Sequence, residues 1–490
     1  MPPLNNRTVS YALPADEMSR LGKTLSPLIK AHPDTSGIYP LTNPEDAFAA
    51  RVLLARAAER TLDVQYYIWK HDTTGTLLFD ALHDAAERGV RVRLLLDDNN
   101  TSGLDPYLAV LDAHPNIEIR LFNPFVQRDW RWLGYLTDFS RLNRRMHNKS
   151  FTADSLVTII GGRNVGDEYF GASNEIAFSD LDVMAAGPVS TLVSQDFDRY
   201  WQSLSSYPAN QLLAQASSDD KEAFAAAVEQ IKNSAAATNY IDAIRQSSFV
   251  QHLTEGSLAM EWVPTRMISD DPAKGLGLAA PESLLPARLK DALNEPSHSL
   301  YLVSPYFVPG KEGVNAFAAM VASGVNIRVL TNSLEATDVA VVHAGYAKRR
   351  KSLLQSGIEL YESRRTSAVN EREKWSSLGS SYSSLHAKTF SVDNEHVFIG
   401  SFNFDPRSAN LNTEMGFIIH SPALAKQMAD SFEKQIASNA YQVMLEDESR
   451  LAWVEQKNGT TIKHNEEPGV SRLKKLAIWA LSLLPIEWLL

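Results

Sequence analysis

One motif occurs twice in this chain, in the same register. His147-Asn148-Lys149 is followed by Asp154 and then by Gly161-Gly162-Arg163-Asn164; His386-Ala387-Lys388 is followed by Asp393 and then by Gly400-Ser401-Phe402-Asn403. The intervals agree throughout: two from His to Lys, five from Lys to Asp, seven from Asp to Gly, three from Gly to Asn. Every element of the second copy lies 239 positions after its counterpart (386 − 147, 388 − 149, 393 − 154, 400 − 161, 403 − 164). A single copy would be a weak match. Two copies in phase imply a duplicated half-domain with paired sites.

Apolar, β-prone runs follow each histidine, Phe151 to Ile160 and Phe390 to Ile399, and read as strand, turn, strand. In a strand, residues i and i+2 share a face, so His147 is expected beside Lys149 and His386 beside Lys388. An ammonium offers no lone pair, which makes each pair a poor metal site and a good site for a dispersed anion such as a phosphodiester. Gly161, Gly162 and Gly400 permit a tight turn, after which Asn164 and Asn403 donate side-chain amides to phosphate. With the halves face to face, two histidines, two lysines and two asparagines surround one phosphate. One neutral imidazole attacks phosphorus and the other, protonated, protonates the leaving oxygen. Lysine and asparagine stabilise the non-bridging oxygens, and the scheme calls for no metal and no cofactor. Asp154 and Asp393 complete the catalytic motif. Each stands at a strand–turn junction, where Asp commonly caps a turn, so both read as structural members of it.

A nucleophilic histidine needs an acceptor on its other ring nitrogen. Glu414 is the candidate in the second half. In the first half, strict 239 spacing selects Glu175, whereas aligning Gly187-Pro188 with Ser421-Pro422 selects Asp180, because both acids then precede the proline by eight residues. Asp180 is preferred, since insertions fall in loops while the pleat holds strand register.

Each half opens as helix, strand, helix, strand: Ala47–Arg60, Leu62–Trp69, Thr76–Arg88 and Val90–Asp97, then Pro286–Asn294, Leu300–Val308, Gly313–Ser323 and Val325–Thr331. Gly89 and Gly324 follow the second helix of each half, as helix C-termini favour. The expected fold is α/β: two pseudo-symmetric halves, each a mixed β-sheet flanked by helices, with the active site at their interface. The expected division is a leader over 1–40, a first half over 41–205, a helical connector over 206–255, a second half over 256–445 and a C-terminal region over 446–490.

The duplicated His-x-Lys-x4-Asp pattern with its Gly-Gly/Ser-x-Asn tail resembles the phospholipase D superfamily. Val64-Gln65-Tyr66-Tyr67-Ile68-Trp69, Asn143 to Lys149, Gly161 to Asn164 and Gly400 to Ser408 are similar to the bacterial cardiolipin synthases, most closely the C type. The resemblance spans roughly residues 30 to 450. It implies a phosphatidyl-histidine intermediate on His147. His386 is then implied as the acid that releases the head group and the base that activates the incoming alcohol. It further implies phosphatidyl transfer from phosphatidylethanolamine to phosphatidylglycerol. Hydrolysis by a phospholipase D and cleavage by a related nuclease would use the same groups. A non-catalytic membrane scaffold is the alternative of another class, but it should have lost a His or Lys from one copy.

The 47 basic and 58 acidic residues leave a net charge of −11, which argues against a nonspecific nucleic-acid binder. Basic clusters precede both motifs: Arg128, Arg131, Arg141, Arg144 and Arg145, and Lys348-Arg349-Arg350-Lys351. They are candidates for attracting anionic head groups. No cysteine is present, which excludes disulfides and thiolate chemistry. The N-terminus shows no apolar h-region, and no run reaches the ~18 apolar residues of a spanning helix. At the other end, Arg472-Leu473-Lys474-Lys475 precede a Leu- and Trp-rich stretch to Leu490, which reads as an interfacial anchor. Docking of that stretch on the core or a second subunit is the alternative. Expected partners are phospholipid substrates and a membrane surface, with no nucleic acid and with a partner protein or homo-oligomer left open. The expected location is the bacterial inner (cytoplasmic) membrane, held peripherally.

Overall fold

The computed structural model describes residues 1–173, 178–365, 384–447, 450–457, 459–471, 475 and 478. The chain forms two compact units. The first holds Met1–Ser173, Asp182–Leu285 and Leu411–Gly416; the second holds Asn174–Leu181, Pro286–Asn410 and Phe417–Leu490. Each unit thus contains one short segment from the sequence half that otherwise builds the other.

Across the first unit's sheet the strands run Glu261–Val263, Ser36–Leu41, Asp182–Ala186, Val157–Gly161, Ser150–Ala153, Thr61–Ile68, Arg91–Asn100, Ile117–Phe122 and Ser206–Pro208. Thr61–Ile68, Arg91–Asn100 and Ile117–Phe122 pair in parallel, and Ser150–Ala153 joins antiparallel. The second unit repeats the plan. Ser299–Val303, Asn326–Asn332 and Glu359–Ser363 are parallel, with Thr389–Val392 antiparallel beside the first of them. Mixed sheets flanked by helices in two matching units are the expected α/β fold.

The helices start and stop where local chemistry directs. Asn43 caps Pro44–Ala57 by accepting from the Asp46 N–H, and Asp72 caps Thr73–Glu87 by accepting from the Gly75 N–H. Gly89 and Gly324, at φ 91° and 99°, take the left-handed turn after their helices that side chains with a Cβ resist.

Three expected boundaries are corrected. Ser36–Leu41 is an internal strand of the first sheet, paired on both sides and carrying buried Ile38 and Leu41, so the leader ends before it. Ser206–Pro208, the start of the expected connector, is the edge strand beside Ile117–Phe122. Arg450–Lys457 and Thr460–His464 extend the second sheet beyond Ala440–Glu446. Short strands such as Ser36–Leu41 and Ser206–Pro208 take their pairing from neighbouring strands remote in sequence, which periodicity does not reveal. The anchor expected over 472–490 lies outside the described residues apart from Lys475 and Ile478. Ile478 is buried against Leu334 and Ala344, as a docked side chain would be. No helix among the described residues is long and apolar enough to cross a membrane.

Candidate active site

The first motif is built at the end of a two-residue hairpin. Asp154 and Ser155 both adopt left-handed backbone (φ 52° and 55°), the geometry of a tight turn between twisted strands. The Asp154 carboxylate accepts from the backbone N–H groups of Glu59, Arg60 and Thr61 at 2.9–3.0 Å, which clamps the turn to the start of the neighbouring strand. Asp393 and Asn394 repeat this geometry (both φ 55°), and Asp393 accepts from the N–H groups of Ser297, His298 and Ser299. Those backbone donors hold the Asp393 carboxyl below its usual range despite partial burial. Both motif acids therefore hold the hairpins by which the rest of each motif is aligned.

The histidines and lysines are not inside strands as expected. The strands begin at Ser150 and Thr389, one residue after each lysine. His147 follows Met146, which bridges Thr413, and the His147 N–H donates to the Thr413 carbonyl at 2.9 Å. This short backbone graft brings in Glu414. His147 Nδ1 lies 2.8 Å from Glu414 Oε2, with the imidazole nearly buried and the carboxylate wholly so. A buried carboxylate accepts, so Nδ1 carries the proton and Nε2 keeps the lone pair. The Tyr67 ring stands edge-on to His147 at 5.0 Å, and Lys149 Nζ donates to the His147 carbonyl at 2.6 Å.

In the second unit the Phe178–Ser179 strand pairs in parallel with Ser384–Leu385, and the Ser179 carbonyl accepts from the N–H of His386 at 2.7 Å. Asp180 then lies 2.5 Å from His386 Nδ1. Lys388 Nζ lies 3.0 and 3.2 Å from the two ring nitrogens of His386 and also bonds the His386 carbonyl. Phe178 packs on the imidazole at 5.2 Å.

Each acid thus meets the histidine of the other sequence half. Glu414 serves His147, and Asp180 serves His386. Segments 411–416 and 174–181 are the pieces exchanged between the units. Glu175 lies outside the described residues.

Asn164 accepts from the Ile68 N–H at 3.1 Å through Oδ1, which turns its Nδ2 away from that strand. That Nδ2 is buried and bonds no other group among the described residues, an oriented donor of the kind an anionic oxygen fills. Asn403 is buried, and its Oδ1 finds no partner among the described residues.

Sequence reasoning missed the layer behind Glu414. Asp270 is wholly buried and accepts from the Glu414 N–H (2.8 Å), the Leu285 N–H (2.6 Å) and Lys274 Nζ (2.9 Å). Burial pushes its carboxyl up to about 6, against the pull of Lys274 and with a further push from Glu414. Thr413 Oγ1 donates to Asn148 Oδ1 at 2.7 Å, which gives the middle residue of His-Asn-Lys a role in seating the graft. No spacing pointed to Asp270. Asn148 was visible only as part of the motif.

The basic clusters are corrected too. Arg128 is bound to Asp98 and Asp105, Arg145 to Asp97, and Arg141 to Asp138, so they brace the fold. Arg350 is buried between Glu362 and Glu467 in a network with His343, and of its cluster only Lys348 and Lys351 are exposed.

Against this geometry stands a family match. The family model described as "Cardiolipin synthase, PLD-like domain" matches residues 53–201 and 289–436, one stretch around each motif. The chain belongs to this family. It is 52% identical over 481 residues to cardiolipin synthase C of Escherichia coli strain K12, covering 96% of this chain and 100% of that protein. Similarity to cardiolipin synthase A of Pseudomonas entomophila is 24% over 420 residues, covering 83% and 70%. The crystal structure of phosphatidylserine synthase from Haemophilus influenzae Rd KW20 shares the fold, with a TM-score of 0.59 at 15% identity, over 96% of this chain and 100% of that one. Family membership agrees with a duplicated phospholipase D-type α/β architecture.

Proposed function

We propose that this chain is a cardiolipin synthase that moves a phosphatidyl group from phosphatidylethanolamine to phosphatidylglycerol through a phosphatidyl-histidine. The observation that carries the reading is the paired construction: each motif histidine has Nδ1 on a buried carboxylate and a motif lysine against it. His147 Nε2 attacks the donor's phosphorus. The bond from phosphorus to the ethanolamine oxygen breaks, and that oxygen takes the proton of His386. In the second step His386 takes the proton of a phosphatidylglycerol hydroxyl, whose oxygen displaces the histidine nitrogen from phosphorus. Lys149, Lys388, Asn164 and Asn403 stabilise charge on the non-bridging oxygens. Glu414 and Asp180 hold the tautomers and stabilise each imidazolium as it forms. The enzyme works peripherally on the bacterial inner membrane and takes lipids, not nucleic acid, as substrates. A partner protein or a homo-oligomer is compatible with this scheme.

Product analysis with purified protein tests it. Cardiolipin should form from phosphatidylglycerol and rise when phosphatidylethanolamine is added, with ethanolamine released in step. Phosphatidic acid as the only product would make water the acceptor and the protein a hydrolase. Acid-labile label from the donor phosphate trapped on the protein, and absent from His147→Ala, would locate the intermediate.

A further inference from the structure

We propose that residues 126–139 form a membrane-docking face that seats the first unit on an anionic phospholipid bilayer; this rests on the reading that the substrates are membrane lipids. Large apolar side chains stand exposed along this one stretch: Val126 at 61%, Trp130 at 60%, Trp132 at 58%, Leu136 at 74% and Phe139 at 45%. Soluble surfaces scatter such residues singly, and a contiguous set marks an interaction site.

The stretch is firmly built. Arg128 binds Asp98 and Asp105, Arg131 donates to the Asp98 carbonyl at 2.6 Å, and Tyr135 donates to Asn99 at 2.7 Å. Phe125 and Leu142, at either end, are buried. The short helix Arg131–Thr137 is thus tied down by polar bonds, while Trp132 and Leu136, one turn apart on it, stand exposed, as does Trp130 just before it. An open groove of about 900 Å³ beside it continues the apolar wall through Leu133, Leu212 and Leu213.

Two features select a lipid surface as the occupant. Tryptophan with aliphatic neighbours is the composition that settles at the membrane–water boundary. Charge agrees: the five arginines of residues 126–145 are balanced by Asp129 and Asp138 within the stretch and by Asp97, Asp98 and Asp105 bonded to it, 5 − 5 = 0, in a chain of net charge −11. Asp138 is held by Arg141 at 2.7 Å. An acidic protein approaching an anionic bilayer meets least repulsion on such a face. The same stretch runs through Arg144 and Arg145 directly into His147, so docking here brings the membrane to the chain segment that carries the motif.

The absence of native cysteine makes the test clean. An environment-sensitive fluorophore on Leu136→Cys should shift to the blue when vesicles of phosphatidylglycerol and phosphatidylethanolamine are added, and lipids brominated on the acyl chain should quench it. The same label on Met18→Cys, exposed at 71% near the opposite strand ends where Arg20 meets Glu59, should do neither. Full-length protein carrying Trp130→Ser, Trp132→Ser and Leu136→Ser together should sediment with vesicles about tenfold more weakly or worse, since each side chain loses most of its apolar area. Its turnover of a water-soluble short-chain phosphatidyl substrate should match the parent. Lack of quenching at position 136, or unchanged sedimentation of the triple variant, overturns the proposal. So does a blue shift that needs no vesicles and grows with protein concentration, because a second copy would then cover the face. Failure of the catalytic reading shows separately, as a parent protein that does not turn over the short-chain substrate.

Discussion

Glu414 and His147 are 267 positions apart and bonded at 2.8 Å. Removing the charge while keeping the shape isolates what the carboxylate does. Glu414→Gln should lower turnover about 10²–10⁴-fold, because the amide no longer favours Nδ1–H or stabilises the imidazolium. His147→Ala should cost at least as much, and adding Glu414→Gln to it should cost little more, since the two act as one unit. Full additivity of the two losses would show that Glu414 works independently of His147. At this scale the sequence was informative about residue types and silent about partners. The motif spacing pointed to His147, Lys149, His386 and Lys388, and strand-end alignment favoured Asp180 over Glu175. Which acid meets which histidine depends on the Met146–Thr413 and Phe178–Ser384 pairings, and backbone pairing between remote segments leaves no periodic trace.

Among the elements, the hairpins and the parallel strands follow from local rules, while ionisation depends on what packs over them. Asp112 ends the helix Asp105–Asp112 and accepts from the Ile119 N–H at 2.7 Å, fastening the helix to the next strand. Burial pushes its carboxyl from 3.8 up to about 6, against that N–H. Between those pH values the folded chain holds a proton that the unfolded chain has lost. Its stabilising contribution is therefore full below about pH 4 and is lost as pH rises through 6. Asn has no such titration. Asp112→Asn should gain on the parent by about 2 kcal/mol between pH 4 and pH 7, read from denaturant unfolding at both pH values. A constant difference would mean that the carboxyl titrates normally in the fold. The basic clusters teach the same lesson. Composition suggested lipid-attracting patches, yet Arg128, Arg145 and Arg350 are absorbed by buried carboxylates whose proximity only packing creates.

For the whole molecule, the exchanged segments make the two sequence halves mutually dependent. A gene split at Gly256 gives an N-terminal piece without residues 411–416 and a C-terminal piece without 174–181. Each alone should make no cardiolipin, and the two co-expressed should restore synthesis, as assayed by lipid extraction. A single active piece would contradict the exchange. The sequence by itself determined the duplication, the α/β plan and the identity of both His-Lys pairs, because these reside in spacing and periodicity within short stretches of chain. The tertiary structure alone decided which carboxylate orients which imidazole, that Asp270 stands behind Glu414, which arginines are spent inside the fold, and which tryptophans reach solvent. Those depend on contacts between segments tens to hundreds of residues apart, where burial and hydrogen bonding select among groups that look equivalent along the chain.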